Sequence, residues 1–93
     1  MIVLTKSGPH TAEGKRALTL AKDASANMVL VQNGVYFTQS GLLDDFGGSV
    51  FAIQEDVALR GLENKAEGKN IKYIDWDVLT DMLAGDENVV GMF

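Results

Sequence analysis

Short apolar runs rich in β-branched residues recur along the chain, separated by longer amphipathic or polar stretches. Ile2-Val3-Leu4, Met28-Val29-Leu30-Val31, Val50-Phe51-Ala52-Ile53 and Ile71-Lys72-Tyr73-Ile74 predict strands near 2–5, 28–32, 50–54 and 71–74. Val89-Val90-Gly91-Met92 predicts a short fifth. The second run is continuously apolar, as expected of a strand covered on both faces. The gaps between runs are about 13 to 23 residues. A hairpin needs two to five residues, whereas a parallel crossover needs roughly a dozen or more. Every gap meets the second condition, so the sheet is expected to be parallel.

The gaps carry helix signals. Ala17, Leu20, Ala21 and Ala24 fall at i, i+3, i+4, i+7 and form one apolar stripe. Thr11 is placed to cap that helix, with Glu13 favourable in its first turn. Asp75 stands where an N-cap belongs, Trp76, Leu79 and Leu83 follow on one face, and Gly85 is placed to end the helix. From Tyr36 to Asp45 the helical pattern is weaker, and Gly41 weakens it further. Glu55 to Arg60 is one short helix stopped by Gly61. The charged, glycine-bearing stretch Glu63 to Asn70 reads as a solvated loop.

Ninety-three residues make one domain, 1–93, with room for a single core. The hydrophobic fraction of 46% is that of a folded globule. There is no cysteine, which closes every thiolate role: nucleophile, persulfide carrier, zinc or iron–sulfur ligand. A lone histidine cannot build a histidine-rich metal site, so no metal and no cofactor is expected. No apolar run approaches the roughly 20 residues of a membrane span. Met1 to Thr5 lacks the charged leader of a signal peptide. The expectation is a cytoplasmic protein without membrane contact. The net charge is −5, and the eight basic residues are scattered, with Lys15-Arg16 their one adjacent pair. Nucleic-acid affinity needs clustered cations, so direct binding of DNA or RNA is not expected.

Ligands of open α/β sheets gather at the carboxyl ends of the strands. The residues there are Lys6-Ser7-Gly8-Pro9-His10, Gln32-Asn33-Gly34-Val35-Tyr36, Gln54-Glu55-Asp56 and Asp75. A phosphate-binding P-loop needs four residues between its glycines, then Lys and Ser/Thr. Gly8 to Gly14-Lys15-Arg16 has five, and Gly61 to Gly68-Lys69-Asn70 has six. Both lack the hydroxyl that would bind magnesium. His10 is either an acid or base or a surface histidine. Asn33-Gly34 reads as a turn in which glycine supplies a positive φ, exposed at a pocket or interface. Tyr36 and Phe37 either pack in the core or face a partner, and Phe46 is a further aromatic expected to contribute to association. Glu55-Asp56 is a carboxylate pair or, more simply, favourable charge at a helix N-terminus. Arg60 is placed to bond that helix's final carbonyls or to pair with Asp56 at i−4.

Two stretches resemble the TusB/DsrH family. One is Met28-Val29-Leu30-Val31-Gln32-Asn33-Gly34-Val35-Tyr36, and the other is Val50-Phe51-Ala52-Ile53-Gln54-Glu55-Asp56-Val57-Ala58-Leu59-Arg60-Gly61. The similarity continues weakly through Tyr73-Ile74-Asp75-Trp76 and the last helix. The resemblance implies a three-layer α/β/α domain with strand order 4-3-2-1-5. With right-handed crossovers, that order puts three connections on one face of the sheet and leaves the other to the last helix. One short helix is not expected to cover four strands, so the resemblance implies apolar surface for a partner. It also implies a subunit of a sulfur-relay assembly, beside related subunits of the same fold, serving 2-thiolation of the tRNA wobble uridine or related sulfur metabolism. Some members carry a cysteine in the first helix, near the position of Ala17 here. The implied role is therefore non-catalytic, with interface or pocket candidates His10, Gln32, Asn33, Gly34, Tyr36, Phe37, Glu55, Asp56 and Arg60. Two other readings stand beside it: a small ligand- or phosphate-binding domain using the His10/Tyr36/Glu55 edge, and a homo-oligomer with no sulfur role.

Overall fold

The computed structural model describes residues 1–39, 41–62, 71–85 and 88–92. Five strands form one sheet: β1 (Ile2–Thr5), β2 (Asn27–Leu30), β3 (Val50–Ile53), β4 (Ile71–Ile74) and β5 (Val89–Met92). All pairings are parallel, in the order β4-β3-β2-β1-β5. The predicted second strand begins one residue earlier and ends before Gln32, and the third yields Gln54 to the helix that follows. The stretch Glu63 to Asn70, expected as a loop, lies outside the described residues.

Helix α1 (Ala12–Asp23) starts where Thr11 predicts. The Thr11 hydroxyl accepts the Gly14 N–H at 2.9 Å, and Glu13 lies in the first turn. Its end is a Schellman motif built without glycine. Ala26 N–H bonds the Ala21 carbonyl, Ser25 N–H bonds that of Lys22, and Ser25 takes φ 52°. Helix α2 (Gln54–Leu59) is a turn and a half. Helix α3 (Trp76–Gly85) is capped by Asp75, whose carboxylate accepts the Val78 N–H at 2.8 Å. Among the described residues no helix is long and apolar enough to cross a membrane.

The weak helical stretch is resolved differently from the expectation. A 3-10 helix runs from Gln32 to Gln39, earlier than predicted, and turns replace helix around Leu42 to Asp45. Its three-residue period puts Val35 and Thr38 on the buried side, and the Thr38 hydroxyl closes one turn on the Val35 carbonyl at 2.8 Å.

Alternation along the strands divides the core in two. Val3, Met28, Leu30, Val50 and Ala52 face α1, the 3-10 helix and α2, and meet Ala17, Ala21, Val35, Phe37 and Val57. Ile2, Val29, Val31 and Ile53 face α3 and meet Leu79. The helix seals the middle of its face more completely than its length suggested, because Leu79 lies over the central strands. Its margins stay open: Leu4, Phe51, Ile74, Met82 and Leu83 are only half-buried, and Trp76, Val78 and Val89 are exposed. Lys72 partly shields one margin, with Nζ 5.7 Å from the centre of the Phe51 ring.

Candidate functional site

The carboxyl ends of β1, β2 and β3 are bound together by the two signature stretches. Leaving β2, the chain enters the left-handed region at Gln32, φ 50°, where a side chain costs roughly 1–2 kcal/mol. The Gln32 N–H is held there by the carboxylate of Asp56, at 2.8 Å from Oδ2. Asp56 is buried in the first turn of α2. One helical turn on, Arg60 donates through Nη1 to the Asp56 carbonyl at 3.2 Å and to its carboxylate at 3.4 Å. The Arg60 Nε reaches the side-chain oxygen of Asn33 at 3.2 Å. Four of the candidate residues, Gln32, Asn33, Asp56 and Arg60, thus form one latch. A buried carboxylate is tolerated because it has both a backbone donor and a guanidinium.

Gly34 is required for a different reason than expected. Its φ is not positive; the strained residue is Gln32, two positions earlier. A side chain at Gly34 would overlap the carbonyl oxygen of Thr5 at the end of β1. The Gly34 N–H bonds Lys6 at 3.0 Å, and Val31 N–H bonds Thr5 at 2.9 Å. The bare α-carbon lets the 3-10 helix press directly on the first strand-to-helix loop. That loop is folded on itself: the Thr11 hydroxyl donates to the Gly8 carbonyl at 2.8 Å.

The remaining candidates separate. His10, Tyr36 and Glu55 are exposed on three different elements, and no hydrogen bond joins them among the described residues. Glu55 faces solvent while its neighbour Asp56 is buried, so the two carboxylates diverge as adjacent helical residues do. Phe37 is 1% exposed and belongs to the core, not to a surface. Phe46 is half-buried against the same core. Tyr36 is the aromatic of this group that remains accessible, at 41%. Among the described residues no group of three or more His, Asp or Glu is placed to hold a metal ion. Sequence reasoning missed Thr5, whose hydroxyl is fully buried at the end of β1 and has no hydrogen-bond partner among the described residues.

The parallel sheet order and the latched carboxyl edge define a small α/β domain that presents surfaces and carries no thiol. The chain belongs to the DsrH-like family, whose model matches residues 6–89. At the family level this makes it a subunit of the sulfur-relay type. Among solved structures, the Tm0979 protein of Thermotoga maritima, determined in solution, is 30% identical with a TM-score of 0.67 over 95% of this chain and 97% of that one. The fold is also that of the YchN protein of E. coli, with a TM-score of 0.81 at 12% identity over 98% of this chain and 97% of that one. No curated protein matches the chain in sequence.

Proposed function

We propose that this chain is a non-catalytic subunit of a cytoplasmic sulfur-relay assembly, in which a cysteine-bearing partner of the same fold carries the persulfide. The product pathway under this reading is 2-thiolation of the tRNA wobble uridine or a related sulfur transfer. The observation that carries the reading is membership of the DsrH-like family together with a cysteine count of zero. A protein persulfide needs a cysteine thiolate, and attack on a sulfane sulfur by a protein thiol needs the same group. Methionine cannot substitute, since a thioether has no proton to lose. Ala17, near the position where some members of the family carry a cysteine, is fully buried on the inner face of α1. The contribution left to the chain is shape, and its carboxyl edge with Tyr36, His10 and Glu55 accessible is the part nearest to a neighbour's chemistry.

The test is to incubate the purified chain with a cysteine desulfurase, labelled cysteine and a cysteine-bearing subunit of the same fold. Products are separated under non-reducing conditions. Label is expected on the partner alone, and faster when this chain is present. Label retained covalently on this chain, or no acceleration of the partner, would overturn the reading.

A further inference from the structure

The outward faces of α1 and α3 lie on opposite sides of the sheet and differ in charge: two cations outnumber the single Asp23 carboxylate on the first, and the second turns two carboxylates outward. Helix α1 buries Ala17 and Ala21, which turns Lys15, Arg16, Thr19 and Asp23 to solvent. With half-buried Leu20 these residues line a shallow groove of about 510 Å³. The aliphatic stems of Lys15 and Arg16 make its walls largely apolar and keep both charges at the rim. Among the described residues neither cation has an ion-pair partner, whereas Lys22 on the same helix is matched by Asp45 at 3.2 Å. Helix α3 buries Leu79, which turns Asp77 and Asp81 outward, one helical turn apart. Neither carboxylate has a partner among the described residues. Flanking them, Trp76 and Val78 are 45% and 43% exposed.

We propose that these two surfaces bind each other between copies of this chain: the Trp76/Asp77/Val78/Asp81 ridge of one copy seats in the Lys15/Arg16 groove of the next. The ridge supplies two carboxylates and an indole. The groove supplies two cations against the one carboxylate of Asp23, an apolar floor at Leu20, and a guanidinium suited to the face of an aromatic ring. Ridge against ridge would set Asp77 and Asp81 against their own kind, and groove against groove would do the same to Lys15 and Arg16. Such juxtapositions disfavour the two symmetric alternatives. Because the matching surfaces lie on opposite sides of the sheet, the contact is heterologous. Repeating it gives a ring if the rotation closes and an open chain if it does not. This inference does not rest on the sulfur-relay reading, and its failure leaves that reading intact.

The test uses exposed residues only. The full-length chain is examined by sedimentation velocity up to high micromolar concentration, beside Lys15→Glu/Arg16→Glu, Asp77→Lys/Asp81→Lys and the combined fourfold variant. The wild type is expected to associate. Each double variant is expected to bind itself at least tenfold more weakly, because its ridge and groove now share one sign. An equimolar mixture of the two doubles, and the fourfold variant by itself, are expected to regain wild-type association. The proposal is overturned by a monomeric wild type, which would assign these surfaces to a different protein. It is equally overturned if only one double variant loses association, the mark of a symmetric interface, or if neither the mixture nor the fourfold variant recovers it.

Discussion

The Asp56 carboxylate accepts the backbone N–H of Gln32 at 2.8 Å, and that bond ties the start of α2 to the one left-handed residue at the end of β2. The two residues lie 24 positions apart, in the two stretches that define the family resemblance. Their partnership explains why an acidic residue and an arginine one turn later belong together: the first holds a strained backbone, and the second holds the first.

Removing the carboxylate should therefore cost more than one hydrogen bond. Asp56→Ala strands the Gln32 N–H and leaves the half-buried Arg60 guanidinium without its anion. The expected loss is about 3 kcal/mol. Asp56→Asn keeps an acceptor and should lose about 1 kcal/mol. Urea unfolding of the three proteins checks this. Equal midpoints for the wild type and the alanine variant would show that the latch carries no energy.

Gly34→Ala should be severe although alanine is the smallest side chain. Its β-carbon would overlap the Thr5 carbonyl, a backbone atom that cannot rotate away. The loop and the 3-10 helix must separate, at an expected cost of about 3 kcal/mol. Gly61→Ala offers a contrast, since that glycine has open space around it but φ 67°. The loss there should be about 1 kcal/mol, from backbone strain alone. Thermal melts of both variants rank the two effects.

Thr5→Val should stabilise the domain. The valine keeps the branched shape suited to a strand and removes a hydroxyl that is buried without a partner among the described residues. An unsatisfied buried polar group costs about 1–3 kcal/mol, so a gain of about 1 kcal/mol is expected. A lower melting temperature for the variant would mean that the hydroxyl has a partner in solution.

Ser25→Gly should also stabilise. Ser25 occupies the left-handed position of the α1 Schellman motif, where glycine has no side-chain penalty. The gain should be about 0.5–1 kcal/mol after allowing for glycine's greater freedom in the unfolded chain. Circular dichroism melts resolve a change of that size in a domain this small.

Much of the architecture was legible because it depends on period and distance. Five apolar runs and crossover-length gaps give a parallel sheet, and Thr11 and Asp75 announce their helices through capping chemistry that is local in sequence. The strand order was not legible from these runs; it came with the family resemblance. The 3-10 helix at Gln32–Gln39 was misplaced because its cause is tertiary. Gly34 is drawn against Thr5, and Gln32 is held by Asp56, both through space. The site was half legible for the same reason. Asp56 and Arg60 can be paired by helical spacing, but nothing local says that their object is the backbone of residue 32. Phe37 and Tyr36 could not be separated by composition, since adjacent aromatics at the start of an irregular segment give no period to assign a face.

The pairing of β5 with β1 sets Val89 beside Ile2. During synthesis the first strand therefore waits for almost the entire sequence before its second edge is covered. Until α3 and β5 arrive, Ile2, Val29 and Ile53 stand on a bare sheet face, and Thr5, Val31 and Gly34 can already be joined at the other end. Closure of so wide a loop is entropically slow. The nascent domain should spend its longest interval as a three- or four-stranded platform with one sticky side, the interval in which a chaperone or a neighbouring subunit would have most to gain by holding it.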